Sequence, residues 1–208
     1  MGETDLAGFD IMIPVYHVDT ESQNDKFVHG GFFPSQEDGV WAGKGMYFWD
    51  NFSNAKYWLQ IQHSHLPDKN FNTSKSKLIC SEKDILDMTR TDTSQEVKVF
   101  AIRFSGEFDV DLDMDKNGEV INFLHDVLEK RQAKHIFSVV KEHGLYPKTK
   151  IKGLIGSNEI GYHGDRKKVI PLPTSKVKTV YAVRDRSLLQ RREIADPTKE
   201  VISDEFSF

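Results

Sequence analysis

Two stretches in the first third of this 208-residue chain hold residue types suited to gripping a planar ring and the hydroxyls beside it. The first is Tyr16-His17-Val18-Asp19-Thr20. Its histidine sits just past a strand end, where side chains commonly enter a cleft. A neutral imidazole there can donate to a ribose hydroxyl or a carbonyl; the plainer alternative is a histidine satisfied by local backbone. The second stretch is Gly43-Lys44-Gly45-Met46-Tyr47-Phe48, with Tyr57 following on the next element. The glycines permit close backbone approach by a ligand or a tight turn into the strand. Tyr47 on a strand and Tyr57 on the helix after it can sandwich a nicotinamide or a base, each phenol keeping a polar end that needs a partner. Phe48, Trp49, Phe52 and Trp58 are read as core packing beneath the sheet.

Other chemistry-bearing groups carry less. Asp113-Met114-Asp115-Lys116-Asn117-Gly118 matches the first half of a calcium loop, but Leu124 stands where a bidentate Glu is needed. His63 and His65 lack a third ligand at a sensible spacing, so no metal is expected. Lys148, Lys150 and Lys152, then Arg166, Lys167 and Lys168, bracket an apolar segment and read as a solvated face before they read as a polyanion-steering patch. Cys80, in KLICSEKD, is expected to be a buried, indifferent thiol.

The elements that must position the two stretches follow from periodicity and punctuation. Residues 11–16 form a short strand, read as an edge strand because Pro14 removes a ladder donor. Residues 20–26 are polar and loop-like. GMYFW reads as a strand, and Asp50, Asn51 and Ser53 offer cap chemistry to a helix bearing Ala55, Trp58, Leu59 and Gln62 on one face. Residues 67–76 read as a loop, 98–106 as an alternating strand continued by FDVDLDM, and 119–143 as two helical pieces. The first piece is striped by Val120, Phe123, Leu124, Val127 and Leu128. The second carries Ile136, Val139 and Val140 and is ended by Gly144. Residues 174–184 are a late strand, and the charged tail from Arg191 reads as loose. Early and late strands around central helices indicate a single α+β domain over residues 1–190, with 191–208 as the charged C-terminal tail.

Composition narrows the setting. The net charge is −4, from 28 basic and 32 acidic residues, so no global field holds nucleic acid nonspecifically. One cysteine allows no internal disulfide, which suits a reduced cytoplasmic compartment. The acidic start MGETDLAGFD is no secretory signal, and no apolar run approaches the roughly 18 residues of a membrane span.

Taken together, the two stretches resemble the diphtheria-toxin-like and poly(ADP-ribose)-polymerase-like ADP-ribosyltransferases. The first motif of that family is a strand-end His, here in Tyr16-His17-Val18-Asp19-Thr20. The second is a Gly-x-Gly-Ile/Val-Tyr-Phe strand and a helix with Ala-x-Tyr, here Gly43 to Phe48 and Ala55-Lys56-Tyr57. Gly30-Gly31-Phe32 is similar to the Gly-Phe loop between them, and VINFLHDVLEKRQ with TVYAVRD is similar to the end of bacterial and phage relatives. The resemblance implies a split mixed β-sheet core with flanking helices and an intracellular mono-ADP-ribosyltransferase that uses NAD as co-substrate. Its target would be an unknown protein or nucleic acid, and an antitoxin or immunity partner is a further implication, with no membrane association. It further implies that His17 holds NAD hydroxyls, that Tyr57 and Tyr47 stack on the nicotinamide, that the Val18 backbone pairs with the carboxamide, that Asn54 supports it, and that Gly45 lets the ligand approach.

Two positions depart from the family pattern. Val18 replaces a glycine, so its β-branched side chain must face away from the ring. The third motif places Glu or Gln at the start of a late strand, and here that position falls on Val180, or on Thr179 with a one-residue slip. Three accounts remain open. Another acid is borrowed, with Glu159 in SNEIGYHGD the leading candidate; the target supplies the base; or the chain binds an NAD-like ligand or a partner without transferring anything.

Overall fold

A computed structural model describes residues 10–35, 39, 41–146 and 177–200. Its sheet has seven strands in the order β4-β5-β6-β2-β1-β3-β7. β1 (Asp10–Thr20) pairs antiparallel with β3 (Phe71–Ser81) along all of its length, and β7 (Leu189–Ile194) pairs with the far side of β3. On the other side stand β2 (Met46–Trp49), β6 (Val177–Val183), β5 (Val139–Leu145) and β4 (Ile85–Asp87). β4 and β5 are parallel and every other pair is antiparallel, so the sheet is mixed. The two groups of strands meet at a single registered pair, Tyr16↔Trp49.

Among the described residues, four helices of eight or more residues dress this sheet. α1 (Glu21–Val28) is capped by Thr20, whose hydroxyl accepts from the Gln23 N–H. α2 (Phe52–His65) is capped by Asn51, whose side chain accepts from the Asn54 N–H at 2.8 Å. α3 (Thr91–Phe108) and α4 (Asn117–Lys130) pack together through Val97, Ala101 and Phe104 on one and Val120, Ile121, Leu124 and Val127 on the other. Each large apolar side chain so buried stabilises the fold by about 1.5–3 kcal/mol.

Several sequence expectations need correction, each for a physical reason. Residues 98–106 lie inside α3 rather than in a strand. Val97, Ala101 and Phe104 share its buried stripe, while Val99, Phe100 and Ile102 remain exposed, and the helix ends on Asp109 in the left-handed region. Val139 and Val140 belong to β5 instead of a helix, and Gly144 is a buried strand residue rather than a cap. Residues 21–26 lie in α1 rather than a loop, and the helix buries Phe27 and Asn24. Asn24 donates to the Asn72 carbonyl at 2.9 Å and accepts from Ser74 at 2.9 Å. The expected loop at 67–76 becomes β3 from Phe71 onward. β1 is interior to the sheet, yet β2 reaches it only at Tyr16, so around Pro14 its registered neighbour is β3 alone.

The chain beyond Arg191 is also bound in rather than loose. Residues 191–194 complete β7, and the Ala195 N–H donates to the Thr73 carbonyl at 2.9 Å. Glu200 is buried at 5% exposure and accepts from the Tyr16 hydroxyl at 2.5 Å and from Lys75 Nζ at 2.6 Å. Removing one partner of a buried ion pair strands the other, which typically costs 3–5 kcal/mol. Glu200→Ala is therefore expected to lower the unfolding free energy by about 3 kcal/mol in denaturant titrations, with Glu200→Gln losing less because it still accepts from Tyr16.

Candidate functional site

Past Tyr16 and Trp49 the strands β1 and β2 part without further registered pairs, and the gap is the head of a cavity of about 330 Å³. His17 and Val18 from β1 line it, together with Tyr47, Phe48 and Trp49 from β2 and Val180 from β6. Trp41, Trp58 and Tyr146 complete the wall. The lining is aromatic and apolar around a few polar groups, as small-molecule sites commonly are.

His17 bridges the parted strands. Its Nδ1 lies 2.6 Å from the Tyr47 carbonyl oxygen, and a carbonyl only accepts, so Nδ1 carries the hydrogen. Nε2 is left to accept from a ligand when the ring is neutral, or to face Asp19 Oδ2 at 3.6 Å when it is protonated. Phe48 packs against the imidazole at 5.4 Å between ring centres. Burial alone would raise the Asp19 carboxyl. The hydrogen bonds from His17 and Thr20 and the nearby imidazole outweigh it and hold its pKa below the ordinary 3.8. Val18 lies in the buried cluster with Tyr16 and Trp49.

Tyr47 walls the cavity with both of its polar groups already engaged. Its carbonyl takes the His17 bond, and its hydroxyl donates to the Gly43 carbonyl at 2.7 Å. The glycine pair serves a tight turn. At Gly43 (φ 75°) an added Cβ would lie 2.4 Å from Asn122 Oδ1 and 2.8 Å from the Gly118 carbonyl. Asn122 Oδ1 also accepts from the Lys44 N–H at 2.7 Å and from Arg184 at 2.8 Å, clamping the turn to α4. Gly45 lies against the Ala182 and Val183 backbone of β6, outside the cavity lining.

Asn54 and Tyr57 likewise stand outside the lining. Asn54 accepts from Lys178 Nζ at 2.9 Å and donates to Asp50 at 2.7 Å. The Lys178 ammonium lies 4.8 Å over the Tyr57 ring, whose neighbour at 5.5 Å is Tyr146. Burial pushes the Lys178 pKa down, opposed by Asp50. Tyr57 thus backs Tyr146, and it is Tyr146, with Trp41 and Trp58, that faces the cavity. Sequence reading missed Tyr146 and Trp41; Trp41, two residues before Gly43, was the more visible of the two.

The third-motif position is placed clearly. Val180 is a buried wall of the cavity, and no acidic side chain lines it among the described residues. Thr179 turns to His143, 3.3 Å from its Nδ1. Glu159 and the Lys148–Lys168 basic groups lie outside the described residues. Cys80 is buried, and burial with Asp84 and Asp10 pushes its thiol up to about 11, far from a nucleophile. Asp113 pairs with Lys116 at 3.4 Å, and His63 packs edge-on against Phe71. No helix among the described residues is long and apolar enough to cross a membrane.

No family model matches the chain, and no solved structure matches it. One relative is an uncharacterized protein of Methanocaldococcus jannaschii, 29% identical over 83 residues that cover 38% of this chain and 39% of that protein. The chain thus aligns with well under half the length of that relative.

Two outcomes test this geometry. Gly43→Ala forces a side chain into Asn122 and the α4 backbone at a positive φ, so it is expected to destabilise by about 1–3 kcal/mol in thermal or urea unfolding. For Asp19 the folded pKa lies below the unfolded one, so its stabilisation is present above 3.8 and is lost as pH falls through the folded value. The stability difference between wild type and Asp19→Asn should shrink as pH falls below about 4, as read by unfolding curves across that range.

Proposed function

We propose that this chain is an NAD-dependent mono-ADP-ribosyltransferase acting on a macromolecular target, built on a sheet of the ADP-ribosyltransferase type. The observation that carries the reading is the convergence of His17 and Tyr47 on an aromatic cavity opened where β1 and β2 part. The strand order supports it: the His17 strand borders the Tyr47 strand, which borders the late strand bearing Val180. A cavity of about 330 Å³ accommodates a nicotinamide ring.

In the reaction, the bond between ribose C1′ and the nicotinamide nitrogen breaks, and its electron pair neutralises the pyridinium. Positive charge develops on C1′ and is shared with the ring oxygen. A nucleophilic atom of the target, or water, then donates a lone pair to C1′ and releases its proton. This chain's contribution is positioning and water exclusion: Trp41, Trp58 and Tyr146 enclose the ring, and His17 Nε2 meets a ribose hydroxyl. NAD, the target and an antitoxin-like protein are the proposed partners, and a cytoplasmic setting is proposed with them.

The apolar Val180 wall favours a second reading, in which the same cavity binds NAD or another nucleotide, or serves an interaction, without transfer. Both NAD-binding forms predict a shift. At 100 times its dissociation constant NAD should add about 2.7 kcal/mol to stability, seen as a raised melting temperature that His17→Ala reduces. Radiolabelled NAD incubated with lysate separates transfer from binding. No melting shift together with no released nicotinamide would sink the reading.

A further inference from the structure

The strand beside Val180 carries an acid. In the β5–β6 ladder Glu142 is the registered partner of Val180, and directly opposed residues place their side chains on one face of a sheet. Glu142 therefore emerges on the face where Val180 walls the aromatic cavity. There it borders a second cavity of about 200 Å³, lined also by Trp41, Asn117, His143, Gly144 and Leu145.

Trp41 borders both cavities. Its indole packs over Gly144, where an added Cβ would sit 2.8 Å from the Trp41 ring and 2.7 Å from the Tyr146 ring. The indole thus stands beside both an apolar compartment and one bordered by a carboxyl group. One of those carboxyl oxygens is unusual. Among the described residues Glu142 Oε2 is buried without a hydrogen-bond partner, and Oε1 accepts from the His143 N–H at 3.3 Å. A buried acceptor left unmade costs free energy, and functional sites are where proteins tolerate that cost. Burial, with Asp87 adding to it, raises the Glu142 pKa against the opposing His143 N–H, as expected of a carboxyl lacking donors.

We infer that the two compartments serve one ligand, whose ring fills the aromatic cavity while Glu142 accepts a hydrogen bond from its ribose hydroxyl, the ring–sugar bond passing the edge of Trp41. The inference rests on the NAD reading and names the acid that β6 does not supply. An orphaned acceptor calls for a donor, and the group attached to a nicotinamide ring in NAD is a hydroxyl-rich sugar. A carboxylate placed there also lies where positive charge develops on C1′, so it would act on the bond-breaking step as well as on binding.

The test compares nicotinamide with nicotinamide riboside as probes of the full chain, by calorimetry, for wild type and Glu142→Gln. Wild type should bind the riboside about tenfold or more tightly than the bare ring. Glu142→Gln should erase most of that gain and leave nicotinamide affinity unchanged. The variant should also melt at or above the wild-type temperature, because a buried unpaired carboxyl has been neutralised, and this excludes misfolding as the cause. Where wild type releases nicotinamide from NAD, the variant should lose about 100-fold or more in kcat/KM, with KM raised as the riboside contact is lost. A variant that matches wild type in riboside affinity overturns the role of Glu142 and leaves the NAD reading standing. A wild-type protein that binds nicotinamide, its riboside and NAD not at all overturns both.

Discussion

Strand pairing between β1 and β2 is confined to Tyr16 and Trp49, and the site is a consequence of that restriction. Buried backbone groups released by a parting of strands must find other partners. Here the Tyr47 carbonyl finds the His17 ring, so one side chain substitutes for a rung of the ladder. The same substitution holds the imidazole in one orientation and fixes which nitrogen bears the hydrogen. The strands cannot close without expelling His17, and they are kept from opening further by β6 and β3, which hold β2 and β1 from outside. The gap is then lined by whichever side chains the two strands turn into it.

The supporting structure follows from this arrangement. The turn that delivers β2 has to be tight and firmly seated, and Asn122 seats it by accepting from Lys44 and Arg184 while filling the space beside Gly43. On the other flank, Lys178 is buried at 4% exposure between Asn54 and the Tyr57 ring. A buried ammonium is costly unless it is paired and hydrogen-bonded. Its hydrogen bond to Asn54 and the electron-rich Tyr57 face offset that cost and lock α2 against β6. Asn54 and Tyr57 therefore shape the cavity through Tyr146, at one remove from any ligand.

What could be read from the sequence divides along physical lines. The placement of His17 and Tyr47 at one cavity, and the glycine turn, were legible because they belong to short segments with strong punctuation. α2 and α4 were legible because their apolar stripes keep helical spacing. α3 was misread because Val99, Phe100 and Ile102 are exposed apolar residues that imitate strand alternation, a pattern only tertiary burial can resolve. β5 was misread because its Val139-Val140 pair is buried on both faces, which removes the alternation that marks a strand. Glu142 was out of reach for a different reason. Its proposed role rests on being opposite Val180 across a ladder, and pairing register between segments so far apart is not written in either one alone.

An acid can reach a site in a sheet from more than one strand. A carboxylate acts on developing charge through distance and desolvation, and it is indifferent to which strand carries it. Directly opposed residues on neighbouring antiparallel strands have Cβ atoms about 4.5–5.5 Å apart, and a Glu side chain spans a comparable length. A sheet can therefore hold a valine at the position where a motif expects an acid and still present the acid to the same volume from next door. The apolar wall at Val180 then has a function of its own. In the proposed site it would present an apolar side to the ring, and a carboxylate bordering an apolar compartment exerts a stronger field than one in water. The absence of an acid from β6 is consequently weak grounds for calling such a site inert, and the orphaned oxygen of Glu142 gives the physical reason to look one strand away.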